Sequence, residues 1–343
     1  MARVALVSHD VQTVLGGRAG GVGAFVTHFA TLLRRHGDEV TIILTRQEPF
    51  PVKVDEEWRR RYQDLGISLI ELHNAPPSAD RWSDAWPLRL SEPLAPMLEQ
   101  FDIAYFQDWA NVGFQAARSK RFRAGGGPIL VTVLHGPSAW VRRNNREYPV
   151  LAEDLHVDYI ERYTAEHSDY VIAPSRYIAH WAQGQGWRFP GEPRVLGLPY
   201  LPPARPEAAP AGPLRRIVFF GRLETRKGFG IFPAALRELF GEGAPPLEEV
   251  VLLGHEQERG AVAGVRRQLE PLGIVVRHIG GLDSFAAQRY LAENARDTLA
   301  VIPSPVENFP YAVIETSLIP GLNMICSNGG GIPDVQIGRA SCR

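Results

Sequence analysis

Arg3-Val4-Ala5-Leu6-Val7-Ser8, followed a few residues later by Gly16-Gly17-Arg18-Ala19-Gly20-Gly21-Val22-Gly23, is the stretch from which the fold can be read. The first six residues form a continuous apolar run, the mark of a strand buried on both faces of a sheet. Beyond the glycines, Phe25, Phe29, Leu32 and Leu33 recur with the period of a helix that has one apolar stripe. Gly37 is placed to stop that helix, and residues 40–44 supply a second apolar run. Strand, glycine-rich turn, helix and strand make a βαβ unit in a parallel sheet. Such sheets bind ligands at the carboxyl ends of their strands, so these glycines lie where a backbone is expected to approach a sugar or phosphate. A long surface turn would have the same composition. A dinucleotide fingerprint does not fit. Gly21-Val22-Gly23 is followed by Phe25 and Val26 where a third glycine is needed, and the second strand ends in Thr45-Arg46 without an acidic partner for a ribose. A nicotinamide oxidoreductase is therefore disfavoured.

The pattern repeats along the chain. Residues 50–100 are rich in Trp, Pro and charge and read as helix and loop decoration. Residues 102–106 form a strand ending in Gln107-Asp108-Trp109. Residues 128–134 form another, which delivers His135 at its carboxyl end, either as a packed residue or as part of a site. Arg142, Arg143 and Arg146 around Asn144-Asn145 read as a short basic loop, either solvated or suited to an anionic acceptor. A helix over 151–166, a strand over 170–173, a helix over 176–183 and a short strand over 194–198 follow. Residues 199–213 are dominated by proline and alanine, cannot make a core element, and read as an interdomain linker. This divides the chain into an N-terminal domain 1–198, the linker 199–213 and a second domain from 214.

In the second domain, residues 216–220 form a strand that runs into Gly221-Arg222-Leu223-Glu224-Thr225-Arg226-Lys227-Gly228, and a helix follows from about residue 231. Arg222 and Lys227 bracket a turn at a strand's carboxyl end, where two fixed cations suit a diphosphate; without G-K-[ST] it is not a P-loop. Strands over 250–254, 275–279, 299–302 and 322–327 alternate with helices over 261–272 and 285–294. After the strand 299–302 comes Ser304-Pro305-Val306-Glu307-Asn308-Phe309-Pro310-Tyr311-Ala312-Val313-Ile314-Glu315, with Pro310 suited to the first position of a helix. Glu307 then precedes the helix and Glu315 lies about a turn and a half inside it, on either side of free backbone N–H groups that attract an anion. The pair could accept hydrogen bonds from the hydroxyls of a phosphorylated sugar. A dipole-favoured Glu beside a solvated one has the same spacing, and spacing alone does not choose.

At 343 residues, with 45% hydrophobic and 22% charged residues, the chain has the composition of a soluble globular protein of about two domains. A net charge of -1 provides no field for nucleic acid or an anionic membrane surface. The first apolar run is too short for a signal peptide, and no stretch reaches the length of a transmembrane segment. Cys326 and Cys342 lack metal-ligand spacing and suggest a reducing compartment, with the cytoplasm as the default.

The turn from Gly221 to Gly228, then Glu307 and Glu315 with seven residues between them, then Gly330-Gly331-Ile332-Pro333-Asp334, resemble glycosyltransferase family 4, the group 1 transferases. The match is strong over about 215–336 and looser before residue 200. The resemblance implies an α/β protein of the GT-B fold: two Rossmann-like domains facing across a cleft, the acceptor mainly on the first and a nucleotide-sugar donor mainly on the second. It implies retaining transfer with neither metal nor cofactor, the nucleoside diphosphate sugar being the co-substrate. By position it assigns Arg222 and Lys227 to the diphosphate, Glu307 to the donor sugar and Glu315 to the ribose diol. The backbone of Asn308, Phe309, Pro310 and Tyr311 is assigned to sugar and phosphate, and Leu282 to the base. Gly20, Gly21 and Gly23 are assigned to an approach to the diphosphate and acceptor, and His135 to the donor sugar.

The sequence departs from the family's pattern in places. The final motif ends in Asp334 where Glu is usual, and Leu196-Gly197-Leu198-Pro199 stands where an Asn-Gly turn is common. Family members continue past the glycine turn, whereas nine residues follow Asp334 here, and Ile337-Gly338-Arg339-Ala340-Ser341-Cys342-Arg343 reads like a translated sequencing adapter. The expectation is a truncated second domain, 214–336, with a foreign tail, 337–343.

The expected activity is hexosyl transfer from a nucleoside diphosphate sugar to a hydroxyl on a polysaccharide, lipid or small glycoside. The partners are thus a nucleotide-sugar donor and a carbohydrate or lipid-linked acceptor, with no nucleic acid. A nucleotide-sugar binding module without turnover, or an epimerase or phosphorylase of the same fold, are the alternatives.

Overall fold

The computed structural model describes residues 1–12, 20–46, 54–73, 83–122, 126–202, 212–241, 247–257 and 259–335. Glycines 16 and 17, the linker interior 203–211 and the tail 337–343, Cys342 included, lie outside the described residues. The chain divides into two compact units: Met1–Arg143 with Glu147–Tyr200, and the chain from Leu201 onward with Asn144–Arg146.

The first unit runs β1 (Arg3–Ser8), α1 (Gly21–His36), β2 (Glu39–Arg46), α2 (Glu56–Asp64), β3 (Ile67–His73), α3 (Trp86–Met97), β4 (Ile103–Gln107), α4 (Phe114–Phe122), β5 (Ile129–Val133), α5 (Ser138–Asn145), α6 (Ala152–Glu166), β6 (Tyr170–Ala173), α7 (Arg176–Gly184) and β7 (Arg194–Val195). Its seven strands are parallel, in the order β3-β2-β1-β4-β5-β6-β7. Val4 stands opposite Val40 on one side and Ile103 on the other. The order reverses between β1 and β4, and there the helices after the two strands leave opposite faces and open a crevice at the carboxyl ends. Ala5 and Val7 of β1 pack with Leu90, Leu94 and Leu98 of the α3 side and with Ala104 and Phe106 of β4. Gly37, at φ +99°, ends α1 as expected.

Two sequence expectations fail in this unit. Residues 67–73, read as decoration, are the edge strand β3, registered along β2 from Val40↔Ile67 to Arg46↔His73. An edge strand is only half covered, so Ile67-Ser68-Leu69-Ile70-Glu71-Leu72-His73 mixes polar and apolar residues and lacks the continuous run of a central strand. Arg142 and Arg143 stand on helix α5, not in a loop. Arg142 pairs with Asp158 and lies 3.9 Å from Asp154, both on α6, and those carboxylates take its charge.

The second unit runs β8 (Arg216–Phe220), α8 (Ile231–Gly241), β9 (Glu249–Leu253), α9 (Ala261–Leu269), β10 (Val275–Ile279), α10 (Ser284–Glu293), β11 (Thr298–Ile302), α11 (Tyr311–Ser317), β12 (Asn323–Cys326) and α12 (Ile332–Val335). Its five parallel strands are ordered β10-β9-β8-β11-β12. Successive residues of a strand face opposite sides of the sheet. Ile217 and Phe219 pack with Phe232 and Leu236 of α8 and with Val262, Val265 and Leu269 of α9, while Val218 packs with Ala287 and Leu291 of α10. The order reverses between β8 and β11. That switch point brings the turn after β8 beside the loop after β11, which hold the residues singled out for the diphosphate and the sugar.

Among the described residues no helix is long and apolar enough to cross a membrane.

Candidate active site

β8 is central and buried, so it fixes where the following turn starts. Leu223, fully buried, bridges to Glu256, and its N–H donates to the His255 carbonyl at 2.8 Å. Thr225–Lys227 then close one 3₁₀ turn, ended by Gly228 at φ +76°. On the neighbouring side, β11 leads into the Glu307 loop. Glu307 pairs through its backbone with Gly330, and its carbonyl accepts from the Gly331 N–H at 2.7 Å. The glycine turn 329–331 therefore holds the Glu307 backbone, a role that no spacing rule indicates.

Between the two elements lies a chain of alternating charges. Arg222 Nη2 lies 3.1 Å from Glu224 Oε1, and Arg226 Nη2 lies 2.8 Å from the same oxygen. Arg226 Nη1 reaches Glu307 Oε2 at 3.4 Å, and Lys227 Nζ pairs with Glu307 Oε1. Arg226 and Glu307 are buried, whereas the Arg222 side chain is 49% exposed. Burial draws the Lys227 ammonium down to about 8; Glu307 pulls it upward, and Arg226 and Arg222 pull it down. Burial alone would raise the Glu307 carboxyl, but Lys227 and Arg226 together outweigh it and hold the group below its ordinary value. At neutral pH the pair is thus ionised.

The structure brings Arg222, Lys227 and Glu307 together and adds Glu224 and Arg226, which the sequence reading left without a role. Their only signal was the alternation of charge at every second residue, Arg222, Glu224 and Arg226, in the turn after β8.

Glu315 lies on the buried side of α11 and accepts from Ser284 Oγ at 2.8 Å, and Gln288 Nε2 donates to that hydroxyl at 3.0 Å. Burial pushes the Glu315 carboxyl up to about 7. Ser284 opens α10, two residues after Leu282, whose side chain is partly exposed. Pro310 is the N-cap of α11 and not its first helical residue: its φ of -80° and ψ of 101° are extended, and its carbonyl accepts from the Val313 N–H at 3.1 Å. Asn308, Pro310 and Tyr311 are buried and Phe309 is partly so.

In the first unit, Gly20 and Gly23 meet a protein anion. Asp10 Oδ2 accepts from the Gly20 N–H at 2.7 Å and the Gly23 N–H at 3.2 Å, at the start of α1. A Cβ on Gly23 would stand 2.9 Å from Asp10 Cγ, so any larger residue there would have to displace the Asp10 carboxylate. The N-terminal donors expected to approach a diphosphate are thus engaged by the Asp10 carboxylate, with Gly21 between them. Asp10→Ala is expected to lower the stability of the chain by about 1–2 kcal/mol, read as a shift in the urea unfolding midpoint.

His135 stands at the end of β5, 4.9 Å ring to ring from Phe25 of α1. Gln107 Nε2 donates to the Val7 carbonyl at 3.2 Å, which turns Gln107 Oε1 toward His135 Nε2 at 2.7 Å. A carbonyl oxygen only accepts, so His135 carries its proton on Nε2 and keeps the lone pair on Nδ1. Burial, with a smaller push from His9, lowers the imidazole to about 3, and it is neutral. The buried Asp108 carboxylate accepts from the N–H groups of Trp109 (2.8 Å), His135 (2.8 Å) and Gly136 (2.9 Å) and so fixes the backbone that carries the ring.

The sequence from residue 19 to 196 matches the model of a family described as Glycosyltransferase Family 4. The match falls on the first unit, where the motifs were looser; the motif-bearing second unit lies outside the matched range. No curated protein matches the sequence. Among solved structures, the chain is similar to the apo form of the lipopolysaccharide outer core galactosyltransferase WaaB. The TM-score is 0.61 and the identity 14%, over 98% of this chain and 84% of that one. It is similar to the catalytic domain of starch synthase IV from Arabidopsis thaliana bound to ADP and acarbose, with a TM-score of 0.62 and 16% identity over 100% and 86% of the two chains. It is also similar to a mutant of S. aureus TarM in complex with fondaparinux, alpha-GlcNAc-glycerol and UDP, with a TM-score of 0.63 and 10% identity over 99% and 88%. The two Rossmann-like units are those of the GT-B fold that these proteins share. With more than half of its length matched by the family model, the chain belongs to glycosyltransferase family 4.

Proposed function

We propose that this glycosyltransferase moves a hexosyl group from a nucleoside diphosphate sugar to a hydroxyl acceptor, with retention at the anomeric carbon and without a metal. The observation that carries the reading is the charge cluster at the switch point of the second sheet, where Lys227 and Arg226 hold a buried, ionised Glu307 and Arg222 joins through Glu224. As the anomeric C–O bond breaks, negative charge builds on the diphosphate oxygens. Arg222 and Lys227, carried on one turn beside the Glu307 loop, turn their side chains to that charge and lower the barrier electrostatically. Positive charge develops on the sugar, and the Glu307 carboxylate favours it electrostatically. The acceptor oxygen attacks from the face the diphosphate leaves, and its proton passes to the departing phosphate oxygen. Glu315 holds the ribose diol by exchanging its Ser284 hydrogen bond for hydroxyls of the nucleoside. Backbone groups of residues 308–311 serve sugar and phosphate, and those around Leu282 the base. The first unit is the acceptor side, where a neutral His135 offers Nδ1 as an acceptor. The ADP and UDP bound by the starch synthase and TarM structures support a nucleotide donor.

Calorimetric titration of the full chain with UDP, GDP and ADP, in the absence of metal, tests the reading. One nucleotide is expected to bind and to lose its binding in Arg222→Ala. Silence from all three rejects the donor site. Binding followed by no acceptor-dependent product from the matching nucleotide sugar leaves a binding module, and a product of inverted anomeric configuration rejects the retaining mechanism.

A further inference from the structure

Glu307 is bound by two cations of different chemistry. Lys227 approaches Oε1, and Arg226 approaches Oε2 at 3.4 Å. Lys227 has a flexible stem and a compact charge that can turn from one anion to another. Arg226 has neither freedom. Its guanidinium spans Glu224 through Nη2 and Glu307 through Nη1, and it is buried. An arginine also keeps its proton under all conditions in which the protein is folded, whereas burial has brought Lys227 within reach of neutral pH.

These differences matter when a diphosphate arrives. On the function proposed above, on which this inference rests, the donor phosphates draw Lys227 away from Glu307. A carboxylate as buried as Glu307 and left with no cation would take up a proton and lose the charge that favours the sugar cation. We propose that Arg226 is a positioning residue that remains on Glu307 when the diphosphate recruits Lys227, so that Glu307 meets the donor sugar as a carboxylate. Glu224 holds Arg226 in place, and Arg222, on the same Glu224 oxygen, is left free to turn toward the phosphates. The groups that act on the pair are thus Lys227, Arg226, Arg222 and Glu224 from the turn after β8, and Ser304 from the loop after β11.

The test is the proton balance of nucleotide binding, which a merely structural role would leave unmoved. UDP, GDP and ADP are titrated into the full chain by calorimetry at neutral pH in two buffers of different ionisation enthalpy, and the nucleotide that binds is carried forward. Arg226→Gln is expected to take up about half a proton or more per bound nucleotide beyond the wild type, because Glu307 protonates once Lys227 leaves it. Its affinity should then strengthen as the pH falls. Arg226→Lys, which keeps a charge but one that phosphates can also recruit, should fall between Arg226→Gln and the wild type, and Glu224→Gln, whose amide oxygen still accepts from Arg226, should stay close to the wild type. Equal uptake in Arg226→Gln and the wild type overturns the inference, as does a Glu224→Gln response equal to that of Arg226→Gln. Absence of any nucleotide binding to the wild type overturns the donor-site reading, and this inference with it.

Should Arg226→Gln not fold, Lys227→Met carries the test in the nucleotide-free chain. Arg226 then keeps Glu307 ionised, and acidification should raise the stability of this variant no more than that of the wild type. A larger rise marks a buried carboxylate that takes up a proton despite Arg226, and overturns the inference.

Discussion

Replacing Arg222 by alanine should lower kcat/KM by at least about a hundredfold, a loss of about 3 kcal/mol of transition-state stabilisation, while the unfolding midpoint stays where it is. The two halves of this expectation come from different observations. The Arg222 side chain is 49% exposed and touches only the edge of the charge cluster, through Glu224 at 3.1 Å, so the fold does not depend on it. On the function proposed above, its position at the carboxyl end of β8 makes it one of two cations that meet a leaving diphosphate. Lys227→Ala should cost as much in kcat/KM, yet it also removes one partner of a buried pair, so part of its effect will appear as lost stability. Arg226, still on Glu307, limits that loss. Kinetics with the nucleotide sugar identified by titration, alongside urea unfolding of each variant, separates the two terms. A loss of tenfold or less in either variant rejects its assignment to the diphosphate.

Gly228→Ala is expected to destabilise the chain by about 3 kcal/mol or more. Gly228 ends the turn that carries Arg222 and Lys227, at φ +76°, a conformation that costs an L-residue about 1–2 kcal/mol. A Cβ there would also stand 2.1 Å from the Pro303 carbonyl oxygen. That obstacle is backbone at the start of the Glu307 loop, held between β11 and Pro305, and it cannot turn aside as a side chain would. The strain would therefore either unfold the turn or push the two halves of the site apart. Gly230→Ala is the matched control: nothing lies within 4 Å of its Cβ position, and its effect should stay within about 0.5 kcal/mol. Urea unfolding of both variants decides the matter, and a Gly228→Ala chain as stable as Gly230→Ala would mean the turn is not held against Pro303.

Much of the architecture was legible because central parallel strands are buried on both faces and leave unbroken apolar runs. The strands from Arg3 to Ser8, Arg216 to Phe220 and Thr298 to Ile302 lie within a residue of where those runs place them. The edge strand Ile67–His73 left no such run, and the helix holding Arg142 was hidden by its arginines and asparagines. The site was legible as a set of candidates and not as a geometry. Arg222, Lys227 and Glu307 were read from their places after strands, whereas Glu224, Arg226 and Ser284 were not, since nothing along the chain says which carboxylate a buried cation will face.

The sequence by itself determined the class of the protein: two βα-patterned halves joined by a proline-rich linker, with cations after one strand and a glutamate after another. Such features are local, carried by periodicity, by the backbone demands of glycine and proline, and by charge. Which groups meet was decided only by tertiary structure, because pairing depends on the order of strands in a sheet. β8 and β11 are far apart in sequence and adjacent in space, and that adjacency joins Lys227 and Arg226 to Glu307. The same holds for Asp10, whose carboxylate engages the glycine N–H groups that the sequence left open to a ligand. Protonation followed the same rule. Glu307 and Glu315 are the same residue type eight positions apart, yet two neighbouring cations keep the first ionised while burial beside a serine hydroxyl raises the second to about 7.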